Sequence, residues 1–313
     1  MTYTGKSQTL SGKLHFIKRD LVRNKGIYLM FIPVILYFIL FHYVPMVGAQ
    51  IAFRDYFPRQ GLSGSPFVGL KHFESFFGST YFVRLIRNTL LLSFFQMLFG
   101  FPAPIILALL MNEIRCKPFK RIVQTVTYLP YFISLMVVCS LVINFCSIDG
   151  LINDIIEFFG GERQSLLLQA DKYRTIHVAS GVWQNMGWNS IVYISALASI
   201  DQELYEAAVI DGAGRWKQTL HITLPGIVPT IVIMLIMRMG SIMNVGFEKV
   251  ILLYNGATYE TADVISSFVY RKGLLDASYS YSAAVGLFNS VVNTVLLCST
   301  NAISRRLNET SLF

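Results

Sequence analysis

Residues 201–225, DQELYEAAVIDGAGRWKQTLHITLP, decide how this chain is read. Apolar runs long enough to cross a membrane flank the stretch on both sides, yet it carries few long apolar side chains of its own. Its residue types spell a short helix, a glycine break, a second short helix and a proline. Asp201 stands at the N-cap position, Glu203 lies where a carboxylate complements the helix dipole, and Ser199 with Gln202 forms an overlapping capping box. Leu204 and Ala208 fall on one helix face with Ala207 beside them, so small side chains leave room for a closely packed partner. Gly212, after Asp211, supplies the left-handed residue of a helix stop. Arg215 to Leu220 adds a turn or two with Trp216 and Leu220 at i,i+4, and Pro225 opens the next apolar run, where its missing N–H costs least. The stretch reads as a docking element on the cytoplasmic face of a membrane protein.

Composition supports that setting. Hydrophobic residues make up 54% of the 313 and charged residues 14%, more apolar surface than one soluble core can hide. A span needs about 20 residues to cross roughly 30 Å of hydrocarbon, which leaves room for about six. The expected spans are 27–49, 88–110, 122–145, 176–198, 222–245 and 282–302. Pro33 and Pro45 are tolerated in the first, because neighbouring helices re-satisfy freed backbone groups. Gly100, Pro102 and Pro104 predict a kink in the second. Residues 1–26 read as a basic cytoplasmic tail and residues 27–313 as the membrane domain. The expected fold is all-α and integral to the membrane, with both termini cytoplasmic.

Charge placement sets the orientation. The four segments assigned to the inside carry 14 Lys and Arg against 7 Asp and Glu, whereas the three outer loops carry 11 against 11. Short basic connections such as Arg115, Lys117, Lys120 and Arg121 mark the cytoplasmic side. The net charge of +8 therefore reports topology. It forms no basic stripe interleaved with aromatics, so no nucleic-acid partner is expected.

Several chemistries have no signature. The absence of a GxxxxGK[ST] loop means that any nucleotide hydrolysis belongs to another subunit. No HExxH, GxSxG or paired buried carboxylates occur, so neither a catalytic residue nor a metal site is expected. The five histidines are isolated, and Cys116, Cys139, Cys146 and Cys298 lack CxxC spacing and read as reduced packing residues. No acid lies deep in a span, which argues against a proton-coupled carrier.

Polar residues inside the spans are candidates for a substrate path. Asn185 and Asn189 share one face of the fourth span, and Asn289 and Asn293 share one face of the sixth. With Trp183 and Trp188 they can hydrogen-bond hydroxyls and stack on the CH faces of a sugar, or they can hold the bundle together by interhelical hydrogen bonds. Arg238 is the single charge inside a span, and it reads either as a snorkelling or subunit-paired guanidinium or as a polar lining of the path.

The pattern Glu206-Ala207-Ala208, three residues, Gly212, nine residues, Ile222, one residue, Leu224-Pro225 resembles the EAA loop of ABC importer permeases. Asp211, Gly212 and Ala213 with Trp216 resemble the variant typical of carbohydrate importers. The likeness extends to Asp55-Tyr56, Gly69-Leu70-Lys71-His72-Phe73, Arg87-Asn88-Thr89 and Tyr128-Leu129-Pro130. It continues through Gly246-Phe247-Glu248-Lys249 and Tyr259-Glu260-Thr261-Ala262-Asp263-Val264, all similar to the LplB/YteP-like group of oligosaccharide permeases. The resemblance implies a type I importer permease fold in a bacterial cell membrane. It also implies a second homologous permease subunit, two ATPase subunits that use ATP and Mg, and an extracellular solute-binding (lipo)protein. No cofactor bound by this chain is implied. Glu206 would pair with a basic group of the ATPase, Ala207 and Ala208 would admit close docking, and Gly212 would allow the turn. Two other classes compete. A stand-alone secondary carrier or channel would transport without an ATPase, and a membrane enzyme acting on lipid or cell-wall sugar would need a catalytic acid or metal cluster that the sequence does not display.

Overall fold

The computed structural model describes Asp20 and residues 23–308, so most of the expected basic tail lies outside the described residues. Among the described residues the chain is helical, with a single isolated bridge between Arg54 and Phe67. Four helices are long and apolar enough to cross a membrane: α1 (Lys25–Phe53), α2 (Tyr81–Glu113), α7 (Arg215–Met239) and α9 (Tyr279–Asn308). Between them lie α3 (Lys117–Phe132), α4 (Leu135–Phe145), α5 (Ala170–Ala198) and α6 (Gln202–Ile210), and α8 (Phe247–Leu253) follows α7.

Three elements depart from the expected geometry. The 122–145 segment is two helices, α3 and α4, meeting at 101°. Ile133 takes an extended conformation, and Ser134 caps α4 by accepting from the Val137 amide at 3.4 Å. The 176–198 segment lies within the 29-residue α5, whose polar residues keep it from matching the long apolar helices in composition. Pro225 does not begin a helix but sits inside α7, directly after a π-turn over Thr219–Thr223. A proline ring crowds the carbonyl four residues back and offers no N–H, and the wider turn accommodates both defects. Pro45 repeats the arrangement after the π-turn Ile39–Tyr43 in α1. In α2, Gly100, Pro102 and Pro104 interrupt the regular helix only at Phe101, whose amide still reaches the Met97 carbonyl at 3.2 Å.

α5 is the hub, packed against α2, α3 and α7. Its approach to α3 is closest at Gly187, where any Cβ would overlap the backbone carbonyl of Thr127. By contrast, none of the membrane-length apolar window of α1 is buried within the chain. A helix that is apolar all round and unpacked meets lipid or another chain.

At the end of the bundle away from residues 201–225, Asp263 is fully buried and ties three segments together. It accepts from Arg271 at 2.7 and 3.2 Å, Arg84 at 3.4 Å and Ser267 at 2.9 Å. The Asn88 amide donates to the carbonyls of Glu260 and Asp263, and Arg174 at the start of α5 donates to the Asn88 carbonyl oxygen at 2.9 Å. Nearby, Lys71 donates to Asp55 at 2.7 Å, and that bond holds the Asp55 carboxyl below its ordinary range. The close crossing predicts that Gly187→Leu costs about 1–3 kcal/mol through overpacking against backbone. Thermal unfolding in detergent should show that loss, while Gly256→Ala, at a position with open space around the Cβ site, leaves the midpoint unchanged.

Candidate functional site: a coupling loop and a polar cavity

The 201–225 stretch folds as its residue types require, apart from the continuous passage of α7 through Pro225 and one missing cap. The Asp201 side chain accepts from the Glu203 amide at 3.0 Å and starts α6. The expected Ser199–Gln202 box does not form, because Ser199 closes α5 and its hydroxyl donates to the Ala196 carbonyl at 2.7 Å. At the other end Gly212 has φ of +74°, the Gly212 amide reaches the Val209 carbonyl at 3.0 Å, and the Ala213 amide reaches the Ala208 carbonyl at 2.8 Å. These two bonds are the Schellman pattern, which satisfies carbonyls that a helix end leaves open.

The loop is braced against the bundle. The Tyr205 and Thr223 hydroxyls lie 3.0 Å apart, Gln218 donates to the Ala213 carbonyl, and Arg215 pairs with Glu113 at the end of α2 at 3.3 Å. The bracing leaves most of the loop surface open. Ile210 is 86% exposed and Trp216 75%, and Leu204 and Val209 are exposed as well. Glu206, Ala207, Asp211, Gly212 and Pro225 are also exposed, while Ala208, Ala213 and Leu224 are half-buried at the contact with the bundle. A rigid, capped element that presents Trp, Ile, Val and Leu to its surroundings has the composition of a protein-docking surface.

A cavity of about 440 Å³ opens between α2, α3, α5 and α7, within the ~300–1,000 Å³ range of small-molecule sites. Asn185, Asn189 and Arg238 line it together, so the structure unites three of the residues singled out from sequence. Gln96, Tyr131, Tyr193 and Ser241 join them, and the lining contains one guanidinium and no carboxylate. Asn185 spends its amide N–H on the Gly181 carbonyl at 2.9 Å. Trp188 borders the site indirectly, stacked on Tyr131 with ring centroids 4.6 Å apart and planes 3° from parallel. That contact fixes the Tyr131 ring, whose own position lines the cavity. Trp183 lies instead in apolar grooves beside Phe95 and Phe99.

Asn289 and Asn293 lie outside the lining of this cavity and bond to the chain after α7. Asn293 accepts from the Met243 amide at 3.1 Å, and Asn289 donates to the Asn244 side chain at 3.2 Å, tying the chain after α7 to α9. Asn289 also borders a separate, mainly apolar cleft. The lining residues Gln96, Tyr131, Tyr193 and Ser241 escaped the sequence reading because none stands out within its own segment; only the packing of α2, α3 and α7 on α5, with the turn after α7, brings them to one space.

The comparisons with known proteins agree with this architecture. A family profile described as "Binding-protein-dependent transport system inner membrane component" matches residues 100–309. Protein LplB of Bacillus subtilis (strain 168) is 46% identical over 294 residues, covering 94% of this chain and 92% of that protein. The polygalacturonan/rhamnogalacturonan transport system permease protein YteP of the same strain is 43% identical over 294 residues, with the same coverage. Among solved structures, a chain of a bacterial ABC transporter involved in the import of the acidic polysaccharide alginate is 44% identical, with a TM-score of 0.87 over 93% of this chain and 99% of that one. A second structure, a bacterial alginate ABC transporter in complex with an alginate pentasaccharide-bound periplasmic protein, also gives a TM-score of 0.87.

The positive φ at Gly212 predicts a graded response to substitution. A β-branched residue is strained in that conformation, whereas asparagine tolerates it. Limited proteolysis should therefore cut the 201–225 segment several-fold faster in Gly212→Val than in Gly212→Asn, and equal rates would contradict the assignment.

Proposed function

Because the chain belongs to the binding-protein-dependent transport system inner membrane components, we propose that it serves an ATP-driven oligosaccharide importer as one of two permease subunits, with residues 201–225 as its ATPase-coupling element. The observation that carries this reading is the set of exposed apolar side chains on the braced α6–α7 loop, Ile210 and Trp216 above all. The chain is not itself an enzyme, and ATP hydrolysis belongs to a separate subunit. In this reading Glu206 pairs with a basic group of that subunit, Ala207 and Ala208 permit close approach, and Asp211, Gly212 and Ala213 shape the turn beside Trp216. Leu224 and Pro225 lie where the loop passes into the membrane part of α7.

Six spans follow if the bent α3–α4 pair counts as one crossing and α5 as another. Both termini then lie in the cytoplasm, with the basic connections on the inner side. An extracellular solute-binding protein delivers the cargo from the opposite face, as in the complex with a periplasmic protein seen for the alginate transporter. ATP binding shifts the inward–outward equilibrium only insofar as docking at the loop differs between the two states, and rigid-body rocking of the bundles completes the cycle.

Asn185, Asn189 and Arg238 form the core of the path, with hydroxyl-bonding amides and phenols around them. The relatives named for polygalacturonan and alginate, together with a lining that holds a guanidinium and no carboxylate, favour an anionic oligosaccharide as cargo.

The test replaces Ile210 and Trp216 by serine. Both side chains are exposed, so the chain's own stability should move by no more than about 0.5 kcal/mol and membrane insertion should be normal. ATP-driven uptake by the assembled transporter should fall at least tenfold. Full uptake by that variant would remove the loop from the coupling path.

A further inference from the structure

Lys249 lies on the short helix α8, a segment whose sequence position places it in a loop beyond α7. The structure instead turns its side chain into the bundle, where the residue is 7% exposed. Its ammonium donates to the His177 backbone carbonyl at 2.9 Å, and no carboxylate comes within ion-pair distance among the described residues. Burying an ammonium without a counter-charge is expensive, and proteins rarely retain the arrangement without a use for it.

The neighbourhood has further unspent hydrogen-bonding capacity. His177 is 1% exposed, and its ring meets no side-chain hydrogen-bond partner. Gly181, one helical turn further along α5, belongs to the cavity wall. A Cβ at Gly181 would lie 3.3 Å from the Lys249 Nζ and 3.4 Å from the Gln96 Nε2. The absence of a side chain lets both donors pack against Gly181: the Gln96 amide lines the cavity, and the Lys249 ammonium lies behind the bare Gly181 backbone. Both groups are donors, and the Arg238 guanidinium belongs to the lining of the same cavity.

We propose that Gln96 and the Lys249 ammonium behind it form a specificity-determining anion site of the cavity, where the carboxylate of an acidic sugar lies against Gly181, accepts from the Gln96 amide and is favoured by the Lys249 charge. The proposal rests on the reading of the cavity as the cargo path. An arriving carboxylate supplies the counter-charge that the protein lacks at Lys249, and a neutral sugar unit does not. The site lies towards the Asp263 end of the bundle, away from the coupling loop, so it meets a uronate early in its passage inward.

The test uses the assembled transporter, with its partner permease and ATPase subunits, in lipid nanodiscs. Equilibrium dialysis measures binding of trigalacturonate and of its neutral methyl ester. The wild-type complex should bind the acid at least tenfold more tightly than the ester. Lys249→Met should abolish that preference while leaving ester binding unchanged. Gly181→Ala keeps the charge but sets a methyl group against both donors, and it should reduce the preference in the same sense; it decides the matter if Lys249→Met fails to assemble. Equal binding of acid and ester by the wild type, or equal weakening of both ligands in the variants, overturns the proposal. If either result is found while ATP-driven uptake persists, the anion site fails and the importer reading stands. Binding of neither ligand overturns the cavity as a sugar path, and the anion site with it.

Discussion

Hydrocarbon offers no hydrogen-bond partner, so every polar group on a membrane helix must find one inside the protein or line a cavity. That constraint organises this chain around α5, which is too polar to face lipid along its whole length and is therefore wrapped by α2, α3 and α7. Gly187 brings α3 into backbone contact on one side. On another side the helices do not close, and the space between them holds Asn185, Asn189, Tyr193 and Arg238. The cavity is thus a consequence of satisfying the polar face of one helix from several neighbours.

The two ends of the bundle are held by different means. At one end the buried Asp263 gathers Arg84, Arg271 and Ser267, and Asn88 joins α2 to both the Asp263 segment and α5. At the other end the loop between α5 and α7 is short, capped and braced. The continuity of α7 links that loop to the cavity: Trp216 and Arg238 stand on one helix, 22 residues or about 33 Å apart at 1.5 Å per residue. A displacement imposed on Trp216 therefore reaches the cavity wall through a single rod, and the π-turn before Pro225 is the point where the rod departs from regular geometry.

Much of this was legible in the sequence because local chemistry determines it. Asp201 as a cap, Gly212 as a left-handed stop and the apolar runs all follow from side-chain geometry or from the solvent the helix meets. What escaped the sequence depends on contacts between distant segments. The right-angled break between α3 and α4 falls at Ile133 and Ser134, and Pro130 three residues earlier, the one local signal, sits inside α3 without ending it. The two tryptophans of α5 looked equivalent, but one face of the helix meets Tyr131 and another an apolar groove. Asn289 and Asn293 had two open roles, and only the course of the chain after α7 gives them partners. Lys249 counted as one more loop charge until α8 folded inward.

The central claim is that this chain moves its cargo only when an ATPase occupies the 201–225 loop. The most direct measurement compares uptake of a labelled oligosaccharide into proteoliposomes that hold the two permease subunits alone with uptake into those that also hold the ATPase subunits, each with binding protein outside and ATP inside. The account predicts accumulation only with the ATPase present, and none when a non-hydrolysable ATP analogue replaces ATP. Concentrative uptake by the permease pair alone would contradict it.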